Sequence, residues 1–64
     1  MKTKAEIIAK ICYDYNVEVI SVTGNIQGTF DVELSNPVYY KENEKMENRI
    51  YALGNINDIY YHNI

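Results

Sequence analysis

Cys12 and His62 would give the most recognisable chemistry in this chain, since a thiolate paired with an imidazole is a nucleophile. Such a pair needs a lowered thiol pKa and a third group to orient the base. The sequence shows neither. Cys12 falls on the apolar stripe of an amphipathic segment, the setting of a buried structural thiol, and His62 falls on a terminal strand as a surface residue. One cysteine and one histidine also form no internal disulfide and no complete Cys/His zinc site. No catalytic residue, metal ligand or cofactor is expected. The carboxylates Glu18, Asp31 and Glu33 have the composition of an acid/base pair of the kind glycosidases use. An enzyme also needs a cleft, for which one helix on a small sheet leaves little room. These acids read instead as a solvated surface, with a partner-binding patch as the functional alternative.

The seven tyrosines, with no tryptophan, are the more suggestive set. Tyr39-Tyr40 and Tyr60-Tyr61 are adjacent pairs, so in a strand one member of each faces outward. Tyr51 joins whichever face its own strand exposes. A tyrosine-rich skin on a sheet is the plain reading. The functional one is an interface, because the ring adds contact area at low entropic cost and keeps a polar tip. Stacking of bases on aromatic residues is a further use, but it normally has basic neighbours, and only Lys41 and Arg49 are near.

These residues must be held by a hairpin and a helix. From Val17 to Leu34 the sequence reads as two strands bent at Gly24-Asn25, a two-residue type II′ turn. That register sets Thr23 opposite Ile26, Ser21 opposite Gly28, Val19 opposite Phe30 and Val17 opposite Val32 on one apolar face, which Leu34 continues. Glu18, Ile20, Val22, Asp31 and Glu33 then share the outer face, with Glu18 opposite Asp31. Ahead of the hairpin, Thr3-Lys4-Ala5-Glu6 has capping-box spacing. Ile7, Ile8, Ile11, Cys12 and Tyr15 form one helical stripe. A helix from Lys4 to Tyr15 is predicted, with Asn16 as its left-handed stop.

Ser35-Asn36-Pro37 reads as a turn, followed by a third strand from Val38 to about Glu42 that sets Asp31 opposite Lys41. Between residues 42 and 53 two readings compete. A polar loop with a strand from Arg49 to Leu53 is one. A helix with Met46, Ile50 and Leu53 as its stripe and Gly54 as its cap is the other. The strand is favoured by an internal echo: Thr23-Gly24-Asn25-Ile26 is answered by Leu53-Gly54-Asn55-Ile56, which suggests a second hairpin. A last strand from Ile56 to about His62 follows under either reading. The expected fold is therefore α+β, one N-terminal helix on an antiparallel meander of four to five strands.

Sixty-four residues make one small domain, which buries only about 60% of its unfolded surface and gains little stability from its own core. Without disulfide or metal, association with another chain is the usual supplement, and a homodimer is one expectation. No apolar run approaches the roughly 18 residues of a membrane span, and no signal-peptide pattern opens the chain. With a single thiol this places it in a cytoplasm. The net charge of −3 is unevenly spread. Lys2, Lys4 and Lys10 outnumber Glu6 near the start, whereas residues 11–40 hold Asp14, Glu18, Asp31 and Glu33 and no basic residue. An acidic face of this kind suits a basic patch on a protein and repels phosphate. The bias toward asparagine, isoleucine, lysine and tyrosine is typical of AT-rich genomes, many phages and mobile elements among them. The expectation is a small acidic binding protein, an inhibitor of that origin, that occludes a basic surface of a host protein with Glu18, Ile20, Val22, Asp31, Glu33, Tyr39, Tyr51 and Tyr60. The alternatives are a self-associating subunit and, below it, a single-stranded nucleic-acid binder.

Overall fold

The computed structural model describes residues 2–35 and 40–62, with residues 40–42 described as backbone. Thr3 begins the first helix: in extended conformation, its hydroxyl accepts from the Glu6 N–H at 3.2 Å. The helix α1, Lys4–Asp14, buries Ile8, Ile11 and Cys12. It ends where expected. Asn16 takes φ 57°, while the Val17 N–H donates to the Cys12 carbonyl and the Asn16 N–H to that of Tyr13. This is a Schellman closure, with asparagine at the left-handed position.

The hairpin is present, but its register is not the one the turn dipeptide suggests. Strands β1, Val19–Gly24, and β2, Phe30–Ser35, are antiparallel, with Val22 opposite Val32 and Gly24 opposite Phe30. Five residues, 25–29, close them instead of two. The left-handed glycine is Gly28, at φ +83°, not Gly24. Asn25 builds the loop: its Oδ1 accepts from the N–H groups of Gln27 and Thr29, and its Nδ2 donates to the Thr29 hydroxyl at 2.7 Å. A glycine placed late in the loop and an asparagine bonded three ways outweigh the glycine that precedes it. The slip is odd, so it turns Ser21 outward and Val22 inward. A bulge at Ile20 restores the phase, and Val17 and Val19 still face the core.

Among the described residues the sheet has three strands and is mixed, in place of the expected antiparallel meander of four or five. After β2 the chain crosses over through helix α2, Tyr40–Tyr51, and returns as β3, Ile56–His62, parallel to β2. The expected strands over 38–42 and 49–53 are thus corrected: residues 40–42 open α2, residues 38 and 39 lie outside the described residues, and Arg49 to Tyr51 form the last turn of the same helix. Met46 and Ile50 have no exposed surface and Asn43 is buried, a stripe at helical spacing that a strand would split between two faces. Leu53-Gly54-Asn55 turns the chain out of α2 rather than closing a hairpin, with Gly54 at φ +83° and Asn55 at φ 61°. The parallel pairing begins at once, the Phe30 N–H donating to the Asn55 carbonyl at 2.8 Å.

Both helices cover one face of the sheet. Ile8, Ile11, Cys12, Val17, Val32, Leu34, Met46, Ile50 and Ile59 form one buried cluster. Phe30 lies at its margin, half-buried, under the Lys4 ammonium. Lys4 also donates to the Gly54 carbonyl at 2.7 Å, joining the start of α1 to the end of α2. A cation there answers the unpaired carbonyls of a helix terminus.

Candidate functional site

The uncovered face of the sheet carries the polar side chains. Because Val32 and Leu34 point to the core, Asp31 and Glu33 between them point away. On β3, Ile59 is buried and Tyr61 packs on the core, so Asp58, Tyr60 and His62 share the outer face. Parallel pairing sets Asp31 beside Asp58 and Glu33 beside Tyr60. Three carboxylates therefore surround one phenol. Their repulsion, that of Asp58 first and then Asp31 and Glu33, raises the Tyr60 pKa, and the ring is 45% exposed.

Four contacts fix the three carboxylates. Asn57, at an irregularity in β3, donates through Nδ2 to Asp31 Oδ1 at 2.8 Å. Asp58 Oδ1 accepts from the Ile59 N–H, also at 2.8 Å, on a strand that forms the sheet edge. Glu33 joins all three strands: the Ser21 hydroxyl of β1 donates to its Oε2, and His62 Nε2 of β3 lies 2.9 Å from its Oε1. These bonds, Ser21 first, hold its carboxyl below the usual range.

Serine, carboxylate and histidine are thus in contact, but in the wrong order for a nucleophilic relay. In such a relay the imidazole stands between hydroxyl and acid and takes the hydroxyl proton. Here the carboxylate stands between them, so the arrangement is a tether across the sheet. Cys12 is fully buried, and burial pushes its thiol up to about 11, far from a thiolate at neutral pH. Among the described residues no group of three His, Cys, Asp or Glu side chains could hold a metal ion, and no helix is long and apolar enough to cross a membrane.

Of the residues singled out in the sequence, Asp31, Glu33 and Tyr60 come together on this face. Glu18 is exposed at its far end, where its N–H and carbonyl bond the side chain and N–H of Ser35. It is not opposite Asp31, whose partner is Thr23. Ile20 is exposed, as expected, at the bulge. Val22 is corrected: the register turns it onto the core side. Tyr51 belongs to α2 rather than to a strand and is 41% exposed. Its hydroxyl comes within 3.5 Å of Asp58 Oδ1, and burial, then Asp58, raises its pKa. Tyr39 lies outside the described residues.

Sequence reasoning missed Asp58 and His62 as members of the face, because only the parallel crossover brings β3 beside β2, and missed Ser21 because the hairpin register slips by an odd number of residues. It also set Ile26 in a strand, whereas Ile26 stands fully exposed at the hairpin tip. Tyr13, exposed on α1 with the Lys10 ammonium 5.6 Å from its ring, carried the one legible signal, a position off the apolar stripe.

The opposite side of the molecule is different in kind. Between α1 and α2 runs an open groove of about 420 Å³ with Ile7, Ile11 and Leu53 in its floor and Lys2, Lys10 and Arg49 on its rim. Asp14 takes Lys10 at 3.1 Å and Arg49 at 3.5 Å, and its own pKa is lowered, chiefly by the Lys10 bond. No protein-family model matches this chain, and neither does any curated protein or solved structure.

Proposed function

We propose that the chain is a small acidic binding protein, of the phage or mobile-element inhibitor kind, whose uncovered sheet face occupies a basic surface of another protein. The observation that supports this is Tyr60, half-exposed within a ring formed by Asp31, Glu33 and Asp58. An aromatic anchor surrounded by like charges favours a partner with a pocket rimmed by lysine or arginine. Binding then blocks whatever that basic surface otherwise contacts, by occupancy and by charge. No reaction is assigned to the protein. Nucleic acid is the poorer partner for this face, because its phosphates would meet three carboxylates. The single buried thiol fits a reducing cytoplasm.

The test is affinity capture from a candidate host lysate with the native chain, with Asp31→Lys and with Tyr60→Ala. Both side chains lie on the outer face, so the fold should be kept, as circular dichroism would verify. Loss of the same captured protein with each variant supports the reading. Equal recovery by all three chains removes this face from the interaction.

A further inference from the structure

The acidic face calls for a basic, apolar-floored surface, and the molecule itself carries one on its other side. We infer that the cation-rimmed groove between α1 and α2 receives the acidic sheet face of a second copy, Tyr60 leading, so that the protein associates head to tail. This rests on the acidic-face reading and names one partner for that face.

Charge and shape argue for it together. The groove rim carries three cations against Asp14, so it stays positive with its internal pairs made; the Lys10 and Arg49 side chains are 64% and 48% exposed. Facing it would be Asp31, Glu33 and Asp58, with His62 beside Glu33 on the same face. The floor of Ile7, Ile11 and Leu53 offers apolar contact to the ring of Tyr60. The face and the groove lie on opposite sides of the sheet, so one molecule cannot satisfy both by itself. Such a contact is heterologous: it leaves a free face at one end and a free groove at the other, and it grows rather than stopping at a dimer. A 64-residue chain also has reason to gain stability from association.

The test uses two broken chains. Asp31→Lys with Tyr60→Ala spoils the face and keeps the groove; Lys10→Glu with Arg49→Glu spoils the groove and keeps the face. By sedimentation velocity, the native chain should rise in mass with concentration and fall back to monomer in about 1 M salt, where screening shortens to about 3 Å. Each double variant alone should be monomeric, and their equimolar mixture should stop at a heterodimer. Should a double variant fail to fold, Tyr60→Ala and Lys10→Glu serve as the pair. A native chain monomeric at about 1 mM, the weak end of the affinity scale, or a mixture that stays monomeric, overturns the inference. Host-protein capture that is lost with Asp31→Lys but kept with Lys10→Glu/Arg49→Glu leaves the external-partner reading standing by itself.

Discussion

The dipeptide Gly-Asn followed by isoleucine occurs twice in this chain, at residues 24–26 and 54–56, and its two copies do opposite things. At the first, Gly24 is the last residue of a strand with no left-handed torsion, and Asn25 starts a loop that returns the chain antiparallel. At the second, Gly54 and Asn55 are both left-handed, and the chain leaves a helix to run parallel to β2. Ile26 is wholly exposed, whereas Ile56 packs on the core. The difference comes from upstream. Val19–Gly24 arrives as a strand, with bonds still to be made along its length. Tyr40–Tyr51 arrives as a helix, whose last carbonyls require a left-handed residue to close. A turn dipeptide supplies permitted torsions; the element before it selects among them.

The strongest way to break this contrast is to weaken the helix that sets the second copy. Ile50→Ala removes a side chain with no exposed surface and is expected to cost about 2–5 kcal/mol. For a domain this small that is comparable to its whole stability, so far-ultraviolet circular dichroism at 25 °C should show a largely unfolded chain. A cooperative native-like melt would mean that α2 is not what holds β3 against β2.

The two glycines can then be compared directly. Neither left-handed glycine has an atom within 4 Å of where a Cβ would stand, so Gly54→Ala pays backbone strain alone, about 1–2 kcal/mol. Gly24→Ala would bring its Cβ to 3.5 Å from the Phe30 ring, an ordinary contact, at an extended position; it should stay within about 0.5 kcal/mol of the native chain. Urea unfolding of the pair measures the gap, and equal midpoints would erase the distinction drawn between the two copies.

The smallest effect belongs to the tether across the sheet. Glu33 titrates below the usual carboxylate range because Ser21 and then His62 bond its charged form. A depressed folded pKa contributes stability that is present above about pH 4, the unfolded value, and is lost as pH falls through the lower folded one. Ser21→Ala should move the Glu33 midpoint, followed by carbon-detected NMR, back toward the ordinary value. A midpoint that does not move would assign the shift to His62.

What could be read from the residues was local. Thr3 and Glu6 mark the start of α1, Asn16 marks its end, and the alternation from Phe30 to Leu34 gives β2 its inner and outer faces. Ile56 to His62 is legible as a strand. The hairpin register was not, because Gly24 and Gly28 both offer a left-handed torsion, and only the side-chain bonds of Asn25 decide between them. An odd slip then exchanged Ser21 and Val22, and the bulge at Ile20 hid the exchange from any simple alternation. The spacing of Met46, Ile50 and Leu53 did contain the helix, but a repeated dipeptide weighed more. Of the site, Asp31 and Glu33 were legible on the outward phase of β2, while of the pair Tyr60-Tyr61 the sequence said only that one member faces out. Asp58 and His62 were not, since a parallel crossover is a long-range choice that leaves no mark on the strand it delivers.

The bond from the Ile59 amide to its neighbour's carboxylate has a consequence for how this chain meets others. A sheet margin ordinarily offers a row of unsatisfied donors to any stray strand, and that is how small β-proteins seed fibres. By turning Asp58 back on its own main chain, β3 withdraws one of those donors and surrounds the gap with negative charge. Growth by strand addition is discouraged along that margin, and encounters with other molecules are left to side chains, where charge can choose between them.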